Sequence, residues 1–333
     1  MDNINHSGLV NDPYDGYASS PDCSREYNSY SKDNQARWLS ASEITIQEFI
    51  DKLSSFKDFY AAYSFLAGKR HHIAAELKQR NEEGLTDCYG TFRHEGERLR
   101  QSISAGDGEQ FWRWQKNKIF ELTYRIVNHV KQKKGININE AYEDNNIICL
   151  TEKVSVDNSD ADYYSISIKS PFIITDTNNY QDNILSVIEL FEFHQERKFN
   201  QIRIEYTPID ERRMKIYNDI LNQYYEALLH WNKDKGPYEF FNSSANLAYL
   251  LSHLMLVKQG NVGIAEWMIR ALAFKNHMML GRFNHEEGIS WDFKAILTPD
   301  KEEFVKWFYE KAFLNYSLLD ESTSDKKFTY FGI

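Results

Sequence analysis

The sequence predicts a mainly α-helical protein with a small β-sheet, an α+β class, and three observations point to it. Apolar residues recur at three- and four-residue intervals over most of the 333-residue chain, the spacing of helices with one buried face. Between about 147 and 175 the interval drops to two, in I-I-C-L, K-V-S-V and Y-Y-S-I-S-I-K-S-P-F-I-I-T, as half-buried strands require. Residues Ala245 to Val257 hold little that is polar besides Asn246, Ser252 and His253, so as a helix this run is apolar on all sides and belongs in the core.

Taken in order, residues 1–35 are rich in Asp, Asn, Ser and Tyr and poor in aliphatics, and are expected to be a disordered tail. Its tyrosines Tyr14, Tyr17, Tyr27 and Tyr30 stand beside acids, as kinase sites often do; a soluble leader is the plainer reading. The main domain is expected over 36–320, with a C-terminal tail at 321–333. Ile46, Phe49, Ile50 and Leu53 place a first helix from Ser42, behind cap-like serines. Further helices are expected at about Phe56–Asn81, 88–104 and 108–133, the last carrying Ile119, Leu122, Ile126 and Val127 on its core side. His71 and His72 beside Lys69 and Arg70 form a small basic patch, read as solvated surface or as a cationic face for an anion. After the strands, helix is expected at about 178–196, a short strand at Gln201–Tyr206, and an amphipathic helix from Pro208 to Trp231. The core helices fall within about 208–275. Two short helices close the domain, near 290–297 and from Pro299, with Thr298 as the cap.

Composition excludes several function classes. A net charge of −10 opposes general binding to a phosphate backbone, so nucleic acid is not an expected partner. Cys23, Cys88 and Cys149 are far apart and odd in number, which argues for a reducing compartment and against a disulfide scaffold or a zinc site. His277 near His285-Glu286 lacks an H-E-x-x-H spacing, and no metal is assigned. No run of about 20 apolar residues suggests a transmembrane helix. The opening M-D-N-I-N-H-S-G reads as neither a cleaved secretory signal nor an N-myristoylation site, for want of an apolar h-region and of Gly at position 2.

The candidate site lies where the apolar helix ends. Lys258-Gln259-Gly260-Asn261 is a turn, and a second helix can begin at once over Val262–Phe274. Its free backbone N–H groups form a natural anion seat near His253. On one reading His253 is a general base and the Lys258-to-Gly263 turn a phosphate cradle. On the other, His253 is a core residue hydrogen-bonded to a neighbouring element.

The order of blocks adds a resemblance. The stretches Y-G-T-F-R-H-E-G-E-R-L-R-Q-S-I-S-A-G-D-G-E-Q-F-W-R-W (89–114), F-I-I-T-D-T-N-N-Y-Q-D-N-I (172–184) and P-I-D-E-R-R-M-K-I-Y-N-D-I-L-N-Q-Y-Y-E-A-L (208–228), then S-H-L-M-L-V-K-Q-G-N-V-G-I-A-E-W through A-I-L-T-P-D-K-E-E-F-V-K-W-F (252–308), together resemble the AvrB family of plant-pathogen avirulence proteins, within the Fic/Doc-like (Fido) superfamily. The resemblance implies a two-lobed helical fold with a nucleotide-sized cleft. It also implies release by a bacterium without a cleavable signal and action on a host protein in the host cytoplasm. Such proteins move AMP, phosphate or a sugar from a nucleotide-bearing donor to a protein hydroxyl, so the implied donor is ATP, a UDP-sugar or a dTDP-sugar. His253 falls where Fic enzymes place the His of H-x-F-x-x-G-N-x-x-R, and Gly260-Asn261 where they place Gly-Asn. Here Gly260 follows the His by seven residues, Met255 stands for the Phe, and the Arg after Gly-Asn is absent. Gln259 occupies the place of an Arg nucleotide contact in the family's namesake. The implied roles are His253 as base, with Lys258, Gln259, Gly260, Asn261 and Gly263 holding donor phosphates; Arg270 and Arg282 either lend charge to them or are plain surface residues. The alternative is a catalytically degenerate Fido scaffold that acts as a host-protein-binding adaptor.

Overall fold

A computed structural model describes residues 32–77, 86–105, 115–134, 141–156, 159–172, 183–194, 200–208, 210–284, 287–320 and 327–329. Helices and an antiparallel sheet share the chain, as the α+β class requires. The helices are α1 (Lys32–Lys52), α2 (Phe59–Glu76), α3 (Lys116–Lys134), α4 (Glu211–Leu229), α5 (Gly236–Leu254), α6 (Asn261–Lys275), α7 (Trp291–Ile296) and α8 (Lys301–Lys311). The strands are β1 (Leu99–Ser104), β2 (Ala141–Glu143), β3 (Ile147–Val156), β4 (Ser159–Lys169), β5 (Ile184–Phe193), β6 (Gln201–Tyr206), β7 (Met278–Leu280) and β8 (Tyr316–Leu318).

Six strands form one antiparallel sheet in the order β1-β6-β5-β4-β3-β2, and β7 pairs with β8 in a separate two-stranded sheet. Two cores result. In the first, Ile119, Val127 and Val130 of α3, with Phe293 and Ile296 of α7, pack on Cys149, Ile166, Ile188 and Ile204 of the large sheet. The second is helical: α5 contacts α4, α6, α7 and α8, and from Ser244 to Leu254 every residue is buried. A helix enclosed on all sides has no use for a polar face, which explains the apolar run in its second half.

Several expected elements shift. The first helix starts at Lys32, ten residues before Ser42 and within the stretch expected to be tail, because Trp38 and Leu39 are buried against the helical core. Residues 1–31 lie outside the described residues. The helix expected at 88–104 is instead a loop followed by β1, whose Leu99 to Ser104 pair residue by residue with Tyr206 to Gln201. The helix expected at 178–196 is β5, paired with β4 and β6 on its two sides. Buried positions on both of its faces blur the two-residue alternation. β2, β7 and β8 were not expected. α3 begins at Lys116 rather than 108; residues 106–114, including the Gly106-Asp107-Gly108 break, lie outside the described set.

The last helix is capped by Asp300, not Thr298. Its carboxylate accepts from the Glu302 amide at 2.9 Å, so the helix starts two residues beyond Pro299. In the C-terminal tail, Phe328 is buried edge-on against Phe274, and its amide donates to Gln47 Oε1 at 2.8 Å.

Candidate functional site

α5 ends at Leu254, three residues short of the expected Val257. Met255 adopts a left-handed conformation (φ 43°), and its amide still bonds Leu251 O at 3.0 Å. Leu256 and Val257 exchange helical bonds for pairing with the 89–93 segment: the Arg93 amide donates to Leu256 O and Val257 bridges Phe92. The turn follows in the same clasp. The Lys258 amide donates to Thr91 O at 2.9 Å and Gln259 O accepts from the Gly90 amide at 3.0 Å.

His253 sits in the last turn of α5 with 0% exposure. Its Nδ1 lies 2.9 Å from Ser186 Oγ on β5, and its ring stacks at a tilt on Tyr249, centroids 4.5 Å apart. The Ala295 backbone is its other polar neighbour, yet Nε2 forms no hydrogen bond. The tautomer sets the roles in the Ser186 bond: a proton on Nε2 leaves Nδ1 to accept from the hydroxyl, and a proton on Nδ1 makes Ser186 Oγ the acceptor. Burial pushes the imidazole down from 6.5 to about 3, opposed by the Ala295 backbone. The ring is therefore neutral, and in this conformation it faces core atoms on every side. Of the two sequence readings, the core histidine describes its position.

The nucleotide-contact candidates divide into two groups. Lys258, Gln259, Gly260, Asn261 and Gly263 do come together at the α6 N-terminus, where Gly260 holds the left-handed cap position (φ 85°). All but the Gln259 side chain already have a structural neighbour. Lys258 Nζ lies 3.1 Å from Glu97 Oε1. Burial would raise that carboxyl, but the His94 amide and Lys258 outweigh it and hold the group below its ordinary value. Asn261 is buried, accepting from the Tyr63 hydroxyl and donating to Leu251 O at 2.7 Å. Gly263 packs on Trp38, which a Cβ would meet at 3.4 Å. Gln259 Oε1 is buried without a partner.

Arg270 and Arg282 do not join them. Arg270 is nine residues beyond Asn261, about 13 Å along the axis at about 1.5 Å per residue. It is buried, ion-paired to Glu266 at 2.8 Å, and donates to Leu280 O and Gly281 O. Arg282 belongs to the segment after β7, where its carbonyl accepts from the Leu314 amide at 2.9 Å. Arg270 thus ties the β7 end of α6 together, away from the turn.

Sequence reasoning missed the groups that shape the turn from outside. Arg70, expected in a solvated patch, is 5% exposed. Its guanidinium stands 4.7 Å from the Trp38 ring and 4.2 Å from the Tyr89 ring. Its side chain covers Gly260 so closely that a Cβ there would lie 2.8 Å from Arg70 Cγ. His71 Nδ1 lies 3.1 Å from Tyr89 O, and Lys69 pairs with Glu48. The basic run K-R-H-H is thus divided among three environments; only the helical period of α2 could have hinted that Arg70 shares the face of Tyr63, Leu66 and Ile73.

A third missed group closes the seam between the two cores. Arg93 donates to Leu254 O at 2.9 Å and to the carbonyls of Glu97, Tyr206 and Thr207. Arg213, buried, donates to Ile184 O at 2.7 Å and Pro208 O at 3.2 Å. Their acceptors lie at the start of β5, the end of β6 and the end of α5, the same corner that His253 and Ser186 occupy. Burial lowers the Arg93 guanidinium, and Arg213 adds to the effect. Such donors satisfy strand-end and helix-end carbonyls at a largely enclosed corner.

Among the described residues, no group of His, Cys, Asp and Glu is arranged to hold a metal; His285 and Glu286 lie outside them. No helix of the described residues is long and apolar enough to cross a membrane. No protein-family model matches the chain. No curated protein matches it either.

Proposed function

We propose that this chain is a helical binding scaffold of the AvrB/Fido type that acts by occupying a protein partner. The observation that carries this reading is the burial of His253, whose ring is enclosed and hydrogen-bonded to Ser186. A general base must come within hydrogen-bond reach of the hydroxyl it deprotonates. A neutral imidazole shut inside the core has the opposite surroundings. Delivery by a bacterium and a target in the host cytoplasm belong to the same proposal and rest on the resemblance of the sequence blocks.

A second reading keeps one observation on its side. Lys258, still partly exposed, and Arg70 both bring positive charge to the α6 N-terminus, where the backbone also favours anions. Donor binding there, followed by transfer from ATP, a UDP-sugar or a dTDP-sugar to a host hydroxyl, would require α5 or β5 to move until His253 is uncovered.

One experiment separates the readings. Host lysate proteins are incubated with wild type or His253→Gln and each donor in turn, followed by intact-mass analysis and affinity capture. The scaffold reading expects no donor-dependent mass increase and the same captured partner with both proteins. An adduct that forms with wild type and disappears with His253→Gln would overturn it.

A further inference from the structure

Among the described residues, Lys294 is the one lysine that folding takes almost wholly out of water, at 8% exposure. It lies on α7, whose Phe293 and Ile296 pack into the sheet core. Its ammonium stands 5.7 Å from the centre of the Trp307 ring on α8. A buried ammonium ordinarily trades its hydration for a carboxylate or for hydrogen-bond acceptors. Lys294 has neither: among the described residues it makes no hydrogen bond and no ion pair.

Carboxylates are close, but other groups hold them. Glu303 of α8 lies 3.3 Å from Arg125 Nη1 on α3. Glu287, just before α7, accepts from Trp307 Nε1 at 3.0 Å and lies 3.4 Å from Lys311 Nζ. Lys118 of α3, a second cation near Lys294, is paired with Glu121 at 2.8 Å. Around Lys294 the carboxylates of Glu303 and Glu287 are therefore matched by Arg125 and Lys118, and the charge of Lys294 itself is the surplus. Burial disfavours that charge; Arg125 and Lys118 oppose it too, against Glu303 and Glu287, and the amine is held below its ordinary value. Nζ is nevertheless not sealed in. It does not belong with the unpartnered atoms that solvent cannot reach, such as Arg213 Nε. A desolvated lysine beside other cations, with its lone pair freed and an opening to solvent, is a nucleophile.

We propose that Lys294 is an imine-forming residue that binds a small uncharged aldehyde covalently. Nζ attacks the carbonyl carbon, the carbon–oxygen bond breaks, and the oxygen leaves as water with the two hydrogens of the neutral amine, so that a C=N bond to Nζ remains. No oxidant or reductant enters the step. The surroundings set the class of ligand: Trp307 gives one apolar wall, burial leaves room for a small group only, and the balanced charges give an ionic aldehyde no advantage. The proposal does not rest on the function proposed above.

Trapping tests it on the full chain. The protein is treated briefly at pH 7 with propanal and an amine–borane reductant, which fixes any imine as a secondary amine, and chymotryptic peptides are read by mass spectrometry. Lys294 is expected to be alkylated at least tenfold faster than the exposed lysines Lys275 and Lys306, and no faster than they are in the urea-unfolded chain. Arg125→Ala releases Glu303 to pair with Lys294 and should slow the labelling of Lys294 at least threefold, with the melting temperature and the labelling of Lys275 unchanged. Labelling of Lys294 in the folded chain no faster than that of Lys275 and Lys306, a lead that persists in urea, or an unaltered rate in Arg125→Ala would each overturn the proposal.

Discussion

Ser186 Oγ on β5 and His253 Nδ1 in the last turn of α5 meet at 2.9 Å, joining the sheet to the helix at the seam between the two cores. Both residues are shut away from water, so the bond is made in a medium where a lost partner cannot be replaced.

Acid stability follows from that burial. The folded ring titrates near 3, against 6.5 in an open chain. Between those values the unfolded chain takes up a proton that the folded chain refuses. Stability therefore falls as pH drops below 6.5, by about 1.4 kcal/mol per pH unit from this group. Urea denaturation at pH 7, 6 and 5 should show the loss, and His253→Gln should reduce the slope by about that amount. Equal slopes for the two proteins would contradict the assignment.

Removing the partner gives a separate result. Ser186→Ala leaves Nδ1 without its partner and should cost about 1–3 kcal/mol at neutral pH, the penalty of an unsatisfied buried polar group. A change within a few tenths, measured by chemical denaturation, would mean that the hydroxyl does little for the ring.

The turn after α5 depends on glycine. At Gly260 a side chain would meet both a left-handed backbone (φ 85°) and Arg70 Cγ at 2.8 Å, and the backbone strain alone is about 1–2 kcal/mol. Gly260→Ala should therefore lower the denaturation midpoint. Gly96→Ala, with φ 75° and open space around it, bears the backbone strain without the collision and should cost less. The reverse order would contradict the packing described for Arg70.

At the other end of α6, Glu266 and Arg270 are a buried pair. Arg270→Met strands the carboxylate and should cost about 3–5 kcal/mol, while the double replacement Glu266→Met, Arg270→Met should cost less than the sum of the two single changes. An additive result would show that the two side chains act independently.

The legible parts of the fold were those with one clear period. α4, β3, β4 and β6 follow their expected spans because one face of each is apolar and the other polar, while α6, buried almost throughout, was marked by the Gly-Asn turn before it. β5 was misread because Ile184, Leu185, Ile188 and Leu190 are buried in a strand with neighbours on both sides, so the alternation blurs. β1 was misread because its two-residue pattern, with Leu99 and Ile103 turned inward, is diluted by Arg100, Gln101 and Ser102. At the candidate site, the Gly-Asn turn and a helix starting after it were readable from local residue preferences. Two features had no local signal. Whether His253 faced a cleft or the core depended on Ser186, 67 positions away. The separation of Arg270 from the turn followed from β7, whose end carbonyls claim it.

The central claim, that His253 is a neutral residue sealed between the two cores, has one direct measurement. In protein labelled with 15N at histidine, the ring-nitrogen shifts of His253, assigned by comparison with His253→Gln, are followed from pH 8 to pH 5. The account predicts one neutral tautomer and no titration in that range. A midpoint between pH 6 and 7 would place the ring in contact with water and return it to the role of a general base.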